Sequence, residues 1–339
     1  MLHRPLLALT MVSALCAFLP AAAVQPAAQA PVEPKEVRAW LMRIHEAASR
    51  RNFQGTFIVS AGGAVSSARI AHYCEGNNQY ERIDSLDGQT RHVFRHNEIV
   101  HTHWPQARVA LIEQRDEVSS FPRLLQVGDD RITDFYDVGV QPGERIAGHE
   151  ANVLLLRPRD DFRFGYRLWA EKTSGLLLRA DVLGGKGELL ETSAFSDVAI
   201  NVRSQPETVL APMRKLEGYR IVRPALTPTK LEIEGWSLKQ SVPGFRQVSC
   251  VKRPLEAMNG GDTPAPAGQA LQTIFSDGLT YVSVFIEPFT AERHTSEMAT
   301  TIGATRTLMR RQGDWWITVV GDVPTATLKA FAQGLERKK

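Results

Sequence analysis

The chain has 339 residues, enough for two domains, and its 43% hydrophobic and 23% charged content is that of a globular protein with buried cores. A formal net charge of +3 gives no global argument for a nucleic-acid partner. The charge is unevenly placed: residues 24–200 hold 21 Lys+Arg against 24 Asp+Glu, and residues 201–339 hold 18 against 13. An acidic first part and a basic second part fit two modules with different partners, or two ordinary surfaces that have drifted apart.

The first 23 residues form the three-part pattern of a cleaved secretory signal. His3 and Arg4 give a basic start, Leu6 to Leu19 an apolar run broken by Pro20, and Ala21-Ala22-Ala23 a small-residue cleavage site. The run is short for a membrane span. Residues 24–33, rich in Ala, Pro and Gln, read as a disordered tether. From Pro34 to Arg51 the pattern turns helical, with Val37, Trp40, Leu41, Ile44 and Ala48 at three- and four-residue steps.

After Asn52 the texture is β. Phe53 to Val59, Ser67 to Cys74, Gln79 to Ile83, Arg91 to Arg95, Ile99 to His103 and Arg108 to Ile112 form a meander, with a hairpin turn at Asp87-Gly88. Between Glu117 and Val138 the meander breaks into short helical or irregular cover. Five more strands are predicted: Tyr136 to Ile146, Glu150 to Arg157, Phe164 to Ala170, Leu176 to Leu183 and Leu189 to Ile200. So many short strands with one long helix predict a large, strongly curved antiparallel sheet with helical cover over residues 34–201.

Residues 202–230 carry Pro206, Pro212, Pro224 and Pro228 and read as a linker. Residues 231–339 read as a small α+β domain. It has a strand from Gly244 to Val251, a loop from Met258 to Gly268, hairpins turning at Asp277-Gly278 and Gln312-Gly313-Asp314, and a final helix opened by Pro324.

Motifs of catalysis are missing. There is no Gly-x-Ser-x-Gly elbow, no phosphate-cradling loop before a helix and no Cys-x-x-Cys, so no enzyme and no cofactor is expected. His92, His96, His101 and His103 lie within twelve residues, and His101 and His103 share one strand face. Two ligands on one face only begin a metal site, and no metal is expected. Asp160-Asp161 falls in a predicted turn and reads as solvated. Trp40, Phe57, Phe94, Trp104, Phe121, Phe135, Phe164 and Trp169 are the candidates to line a lipid cavity inside the curved sheet, which they can equally fill. Lys252, Arg253, Arg310 and Arg311 are candidates to bind an acidic partner or anionic lipid heads, or else are solvated strand ends. Removal of the signal leaves Cys74 and Cys250, either paired across the two halves in an oxidising compartment or buried as thiols.

Several segments together resemble the RseB/MucB family of periplasmic sigma-E regulators. They are Phe53-Gln54-Gly55-Thr56-Phe57, Tyr136-Asp137-Val138, Glu144 to Gly148, Val153 to Pro158, Tyr166-Arg167-Leu168-Trp169 and Gly175 to Arg179. Val242-Pro243-Gly244-Phe245, Ser276-Asp277-Gly278-Leu279, Ser283-Val284-Phe285 and Ile317 to Pro324 continue the series in the same order. The resemblance implies a first domain similar to the lipoprotein carriers LolA and LolB, a half-open β-barrel with helical cover. It implies a periplasmic protein that binds the periplasmic part of a membrane-bound anti-sigma factor and protects it from proteolysis. Lipid or lipopolysaccharide would loosen that hold. A homo-oligomer stays open, and the rival reading is a periplasmic lipid or lipoprotein carrier.

Overall fold

Proline presets the helical φ, and one stands at the start of α1 (Pro34–Arg50). Glu36 in the first turn and Arg50 in the last complement the helix dipole. The computed structural model describes residues 33–114, 132–255 and 268–338, and among these no helix is long and apolar enough to cross a membrane. The predicted signal and most of the predicted tether lie outside the described residues. Val37, Leu41, Ile44, Ala47 and Ala48 form the buried stripe of α1.

The strands that follow are β1 (Phe53–Ala61), β2 (Ala64–Glu75), β3 (Asn78–Ser85), β4 (His92–His96), β5 (Ile99–Trp104) and β6 (Val109–Gln114). After the short α2 (Ile132–Phe135) come β7 (Tyr136–Ile146), β8 (His149–Pro158), β9 (Gly165–Glu171), β10 (Leu177–Leu183) and β11 (Leu189–Ile200). The predicted cover between Glu117 and Val138 is described only from Ile132 onward. These strands build one curved sheet in which β1 pairs with both β2 and β11, so the first and last strands of the run meet in the middle. A bulge breaks the β1–β11 register between Thr56 and Phe57. Gly55 is required beside it, because a Cβ there would stand 2.2 Å from the Asp197 carbonyl oxygen.

α1 lies on one face of this sheet. Val37, Leu41 and Ile44 pack against Leu154, Leu156, Leu168, Ala170, Leu177 and Ala180. Each large aliphatic side chain so buried contributes about 1.5–3 kcal/mol relative to exposure.

The segment read as a linker is ordered against both sheets. α3 (Glu207–Arg214) lies over β3 and β4 and buries Val209 against Tyr73, Tyr80 and Phe94. β12 (Arg220–Val222) adds to β6 in parallel and completes twelve strands in the order β12-β6-β5-β4-β3-β2-β1-β11-β10-β9-β8-β7. β13 (Thr227–Pro228) then joins the edge of the second sheet, where Pro228 owes no ladder hydrogen bond.

The second sheet is richer in strands than its turns foretold. β14 (Trp236–Leu238) pairs with the closing β21 (Leu335–Arg337). β15 (Arg246–Pro254), β16 (Gln269–Ser276), β17 (Tyr281–Pro288), β18 (Met298–Ile302), β19 (Thr305–Gln312) and β20 (Trp315–Gly321) form the sheet β13-β15-β16-β17-β20-β19-β18. α4 (Thr325–Gly334) covers one face, seating Leu328 and Phe331 among Phe245, Phe275, Val282, Val284, Ile317 and Val319. The architecture is therefore a large curved antiparallel sheet with helical cover followed by a small α+β domain, as the sequence predicts.

Candidate functional site

Strand pairing decides which side chains can converge. Cross-strand partners share a face, so the registers Phe57–Ala68–Ser85, Ile83–Val93–Thr102 and Glu81–Arg95–Val100 stack three rows on one side of the first sheet. Between these rows lies a groove of about 610 Å3 that also takes in Val59, Arg91 and Trp104. Phe57, Val59, Ile83, Val93, Val100 and Trp104 share its lining with serines and with Arg91 and Arg95, whose charge is matched by Glu81 and Asp87. α1 covers another part of the same face, where Ala47 packs with Phe53 and Ile70.

Of the eight aromatic candidates, Phe57 and Trp104 line this groove. Phe94 points to the opposite face, under α3. Trp169 is buried in the core, its indole N–H donating to Glu144 Oε2 at 2.9 Å. Trp40 packs beside the α1 cluster, Phe164 is buried beneath the Arg306 guanidinium, and Phe135 lies 4.3 Å from that of Arg163. Phe121 lies outside the described residues. Filling a core is thus the role of most of the set, and alternation along β4 and β5 separates Phe94 from Trp104.

The basic candidates do not form one patch. Lys252 and Arg253 are neighbours on β15 and point to opposite faces. Lys252 pairs with Glu234 at 3.0 Å, while Arg253 donates to Gln272 and stands 3.6 Å from Glu113 of β6. Arg310 and Arg311 are on β19, four strand spacings or roughly 19 Å away. Arg311 bonds the Gly313 carbonyl and covers the Phe289 ring at 3.9 Å, and Arg310 is half-buried in the ladder opposite Ile317. Of the two alternatives for Cys74 and Cys250, both are free thiols here, Cys250 within the core of the second sheet and Cys74 half-buried on β2.

The histidines also divide by face. His92 and His103 are cross-strand partners, and His101 and His103 sit beside Phe94 on the face away from the groove. Burial, with His101 and His92 nearby, holds the His103 imidazole down at about 4. His92 bonds Asp84 at 2.6 Å. Among the described residues no group of three His, Cys, Asp or Glu is placed to hold a metal ion.

A second constellation, where the two domains meet, was not legible in the sequence. Arg163, between β8 and β9, is fully buried and donates to Asp277 Oδ2 at 2.9 Å, to Asp160 Oδ1 at 2.9 Å and to the Pro243 carbonyl at 2.6 Å. Its guanidinium also lies 5.7 Å from the Tyr136 ring and 5.4 Å from that of Phe245. Asp277 accepts the Leu279 and Thr280 amides at 2.9 Å, and Tyr136 donates its hydroxyl to it at 3.4 Å. Burial pushes the Asp277 carboxyl above its usual range, against the pull of the Thr280 amide and Arg163. Gly244 has φ +82°, and a Cβ there would stand 2.8 Å from the Arg163 guanidinium. Leu279 enters the core cluster of the first sheet, and Thr327 donates its hydroxyl to the Phe162 carbonyl. Asp160, read as a solvated turn residue, is instead a partner of the buried arginine. The one local signal is an arginine set between Phe162 and Phe164; Tyr136, Gly244 and Asp277 read as strand and turn positions, with nothing to join them.

Comparison with known proteins matches both halves of the chain. The MucB/RseB N-terminal domain matches residues 36–213 and the MucB/RseB C-terminal domain matches residues 230–336. The chain belongs to the MucB/RseB family. It is 29% identical over 297 residues to the sigma factor AlgU regulatory protein MucB of Pseudomonas aeruginosa, covering 86% of this chain and 88% of that one. It is 25% identical to the sigma-E factor regulatory protein RseB of Escherichia coli K12, covering 88% and 90%. Among solved structures, the Pseudomonas aeruginosa MucA/MucB complex superposes with a TM-score of 0.67 at 25% identity, covering 90% of this chain and 99% of that one. In a second structure MucB is bound to the periplasmic part of MucA, with a TM-score of 0.65 and 25% identity. Family members therefore carry regulatory names.

Proposed function

We propose that this protein is a periplasmic negative regulator of a sigma-E-type envelope stress response. It is exported by the signal in residues 1–23, binds the periplasmic part of a membrane-bound anti-sigma factor and protects that segment from proteolysis. The observation that carries this reading is the match to both MucB/RseB domains along the chain, with relatives named as sigma factor regulators and a solved MucB–MucA complex. The groove supports a lipid-sensing role. Its volume falls in the range of small-molecule pockets, Phe57, Val59, Ile83, Val93 and Trp104 suit acyl chains, and the exposed Arg91 suits an anionic group. Residues 231–338 and the strap formed by α3 and β12 hold the partner-binding surface, to which Lys252, Arg253, Arg310 and Arg311 contribute as separate cations and not as one patch. If lipid and partner favour different arrangements, each weakens the other by the same factor.

The test is protection. The periplasmic segment of the cognate anti-sigma factor is incubated with its processing protease, with and without the purified chain. Stoichiometric protection supports the regulator. Undiminished cleavage, together with transfer of bound lipid between vesicles, would replace it with the carrier.

A further inference from the structure

β2 places His72 and Cys74 two residues apart, hence on one face, and β3 sets Glu81 directly opposite His72. Cys74 Sγ stands 3.3 Å from His72 Nε2, and His72 Nδ1 stands 3.6 Å from Glu81 Oε2. The imidazole is stacked on Phe53 at 5.3 Å with 15° between the rings, which fixes its plane. The Cys74 backbone N–H donates to Asn52 Oδ1 at 2.8 Å, and its thiol donates to the Ser49 carbonyl in the last turn of α1 at 3.0 Å. His72 is almost wholly buried, whereas Cys74 is only half-buried. Cys250 lies inside the core of the other domain.

We propose that Cys74, positioned by His72 and Glu81, is a reactive thiol that forms a mixed disulfide with low-molecular-weight disulfides. The groups facing the sulfur are few. β3 sets the neutral Gln79 opposite Cys74 and Glu81 opposite His72, with Arg95 of β4 beyond Glu81; β1 contributes the Phe53 ring against His72, and α1 the Ser49 carbonyl, which Gln79 also bonds. Burial pulls the His72 imidazole down, but the Cys74 sulfur and the Glu81 carboxylate beside it outweigh that and lift the ring to about 9. A cationic ring beside the sulfur stabilises the thiolate, which is the attacking form. The thiolate attacks one sulfur of R–S–S–R. The bond from Cys74 to that sulfur forms as the old S–S bond breaks, and the second sulfur leaves with the bonding pair as R–S⁻, which takes up the proton that Cys74 released. Small disulfides are the co-reactant, and an oxidising compartment supplies them. Glu81 also lines the groove, so an adduct on Cys74 sits at the α1 end of the lipid face.

The purified chain lacking residues 1–23 is treated with 4,4′-dithiodipyridine over a range of pH. Released pyridinethiol gives the rate, and peptide mass mapping locates the adduct. The expected result is one reactive thiol per folded chain, at Cys74. His72→Gln slows it about tenfold at neutral pH, and the gap closes by about pH 9. Glu81→Gln slows it in the same direction by a smaller factor, and in urea all three chains react alike. A site of mere packing would not move the pH profile. Where His72→Gln fails to fold, Glu81→Gln carries the comparison. Reaction at Cys250, no reaction before unfolding, or identical pH profiles in folded wild type and variants would overturn the assignment.

Discussion

The interdomain junction and the groove draw on the same residue types, aromatics and arginine beside carboxylates, and use them in opposite ways. At the junction Arg163 has a carboxylate on two sides, a carbonyl on a third and aromatic rings around it, and no part of its side chain meets solvent. In the groove the exposed Arg91 lines an open volume with Phe57, Ile83, Val93 and Trp104. A satisfied polar cluster fixes one arrangement, because moving any member strands a buried charge. An open apolar row leaves surface for a ligand to cover. The molecule thus separates what holds its domains in register from the groove proposed to take lipid.

Breaking the junction should have the largest effect. Arg163→Met leaves Asp277 buried without its cation and is expected to cost about 3–5 kcal/mol in urea unfolding. The double variant Arg163→Met/Asp277→Leu should recover part of that loss. Full additivity of the two single changes would show that they do not act as a pair. Gly244→Ala comes next. Its positive φ and the close approach of Arg163 predict a loss of about 1–3 kcal/mol, read from the same unfolding curves. Trp104→Ala in the groove should do the reverse. It should weaken acyl-chain binding about tenfold, measured with a fluorescent fatty acid, and move the urea midpoint less than either junction variant. Equal destabilisation by Trp104→Ala and Gly244→Ala would erase the distinction between the two regions.

The smallest effect concerns pH. The His103 imidazole is held down at about 4 in the fold and titrates near 6.5 when unfolded. Between those values the unfolded chain binds more protons, so stability falls as pH drops from about 6.5 toward 4. His103→Phe, set between Phe94 and Tyr219, should flatten that slope in urea midpoints taken across the window.

What could be read from the sequence follows the range of each interaction. The Asp87-Gly88, Asp277-Gly278 and Gln312 to Asp314 turns announce hairpins locally, and the bounds of β7 and β11 follow from composition. The face on which an aromatic lies depends on register, which turns alone do not fix. Phe94 and Trp104 therefore looked alike and sit on opposite sides. Pro206 and Pro212 suggested a linker, yet Pro206 stands at the N-cap of α3, where proline is tolerated. Pairs such as Arg163–Asp277 and Arg253–Glu113 join residues more than a hundred positions apart, and no local pattern marks them. The spacing of His72 and Cys74 on a strand was visible, but Glu81 joins them only through the β2–β3 register.

The most direct test of the account is calorimetric titration of the cognate anti-sigma factor's periplasmic segment into the purified protein, alone and with lipopolysaccharide present. The account predicts tight binding that weakens as lipid is added, by the same factor by which the segment weakens lipid binding. Partner affinity unchanged at saturating lipid would contradict it.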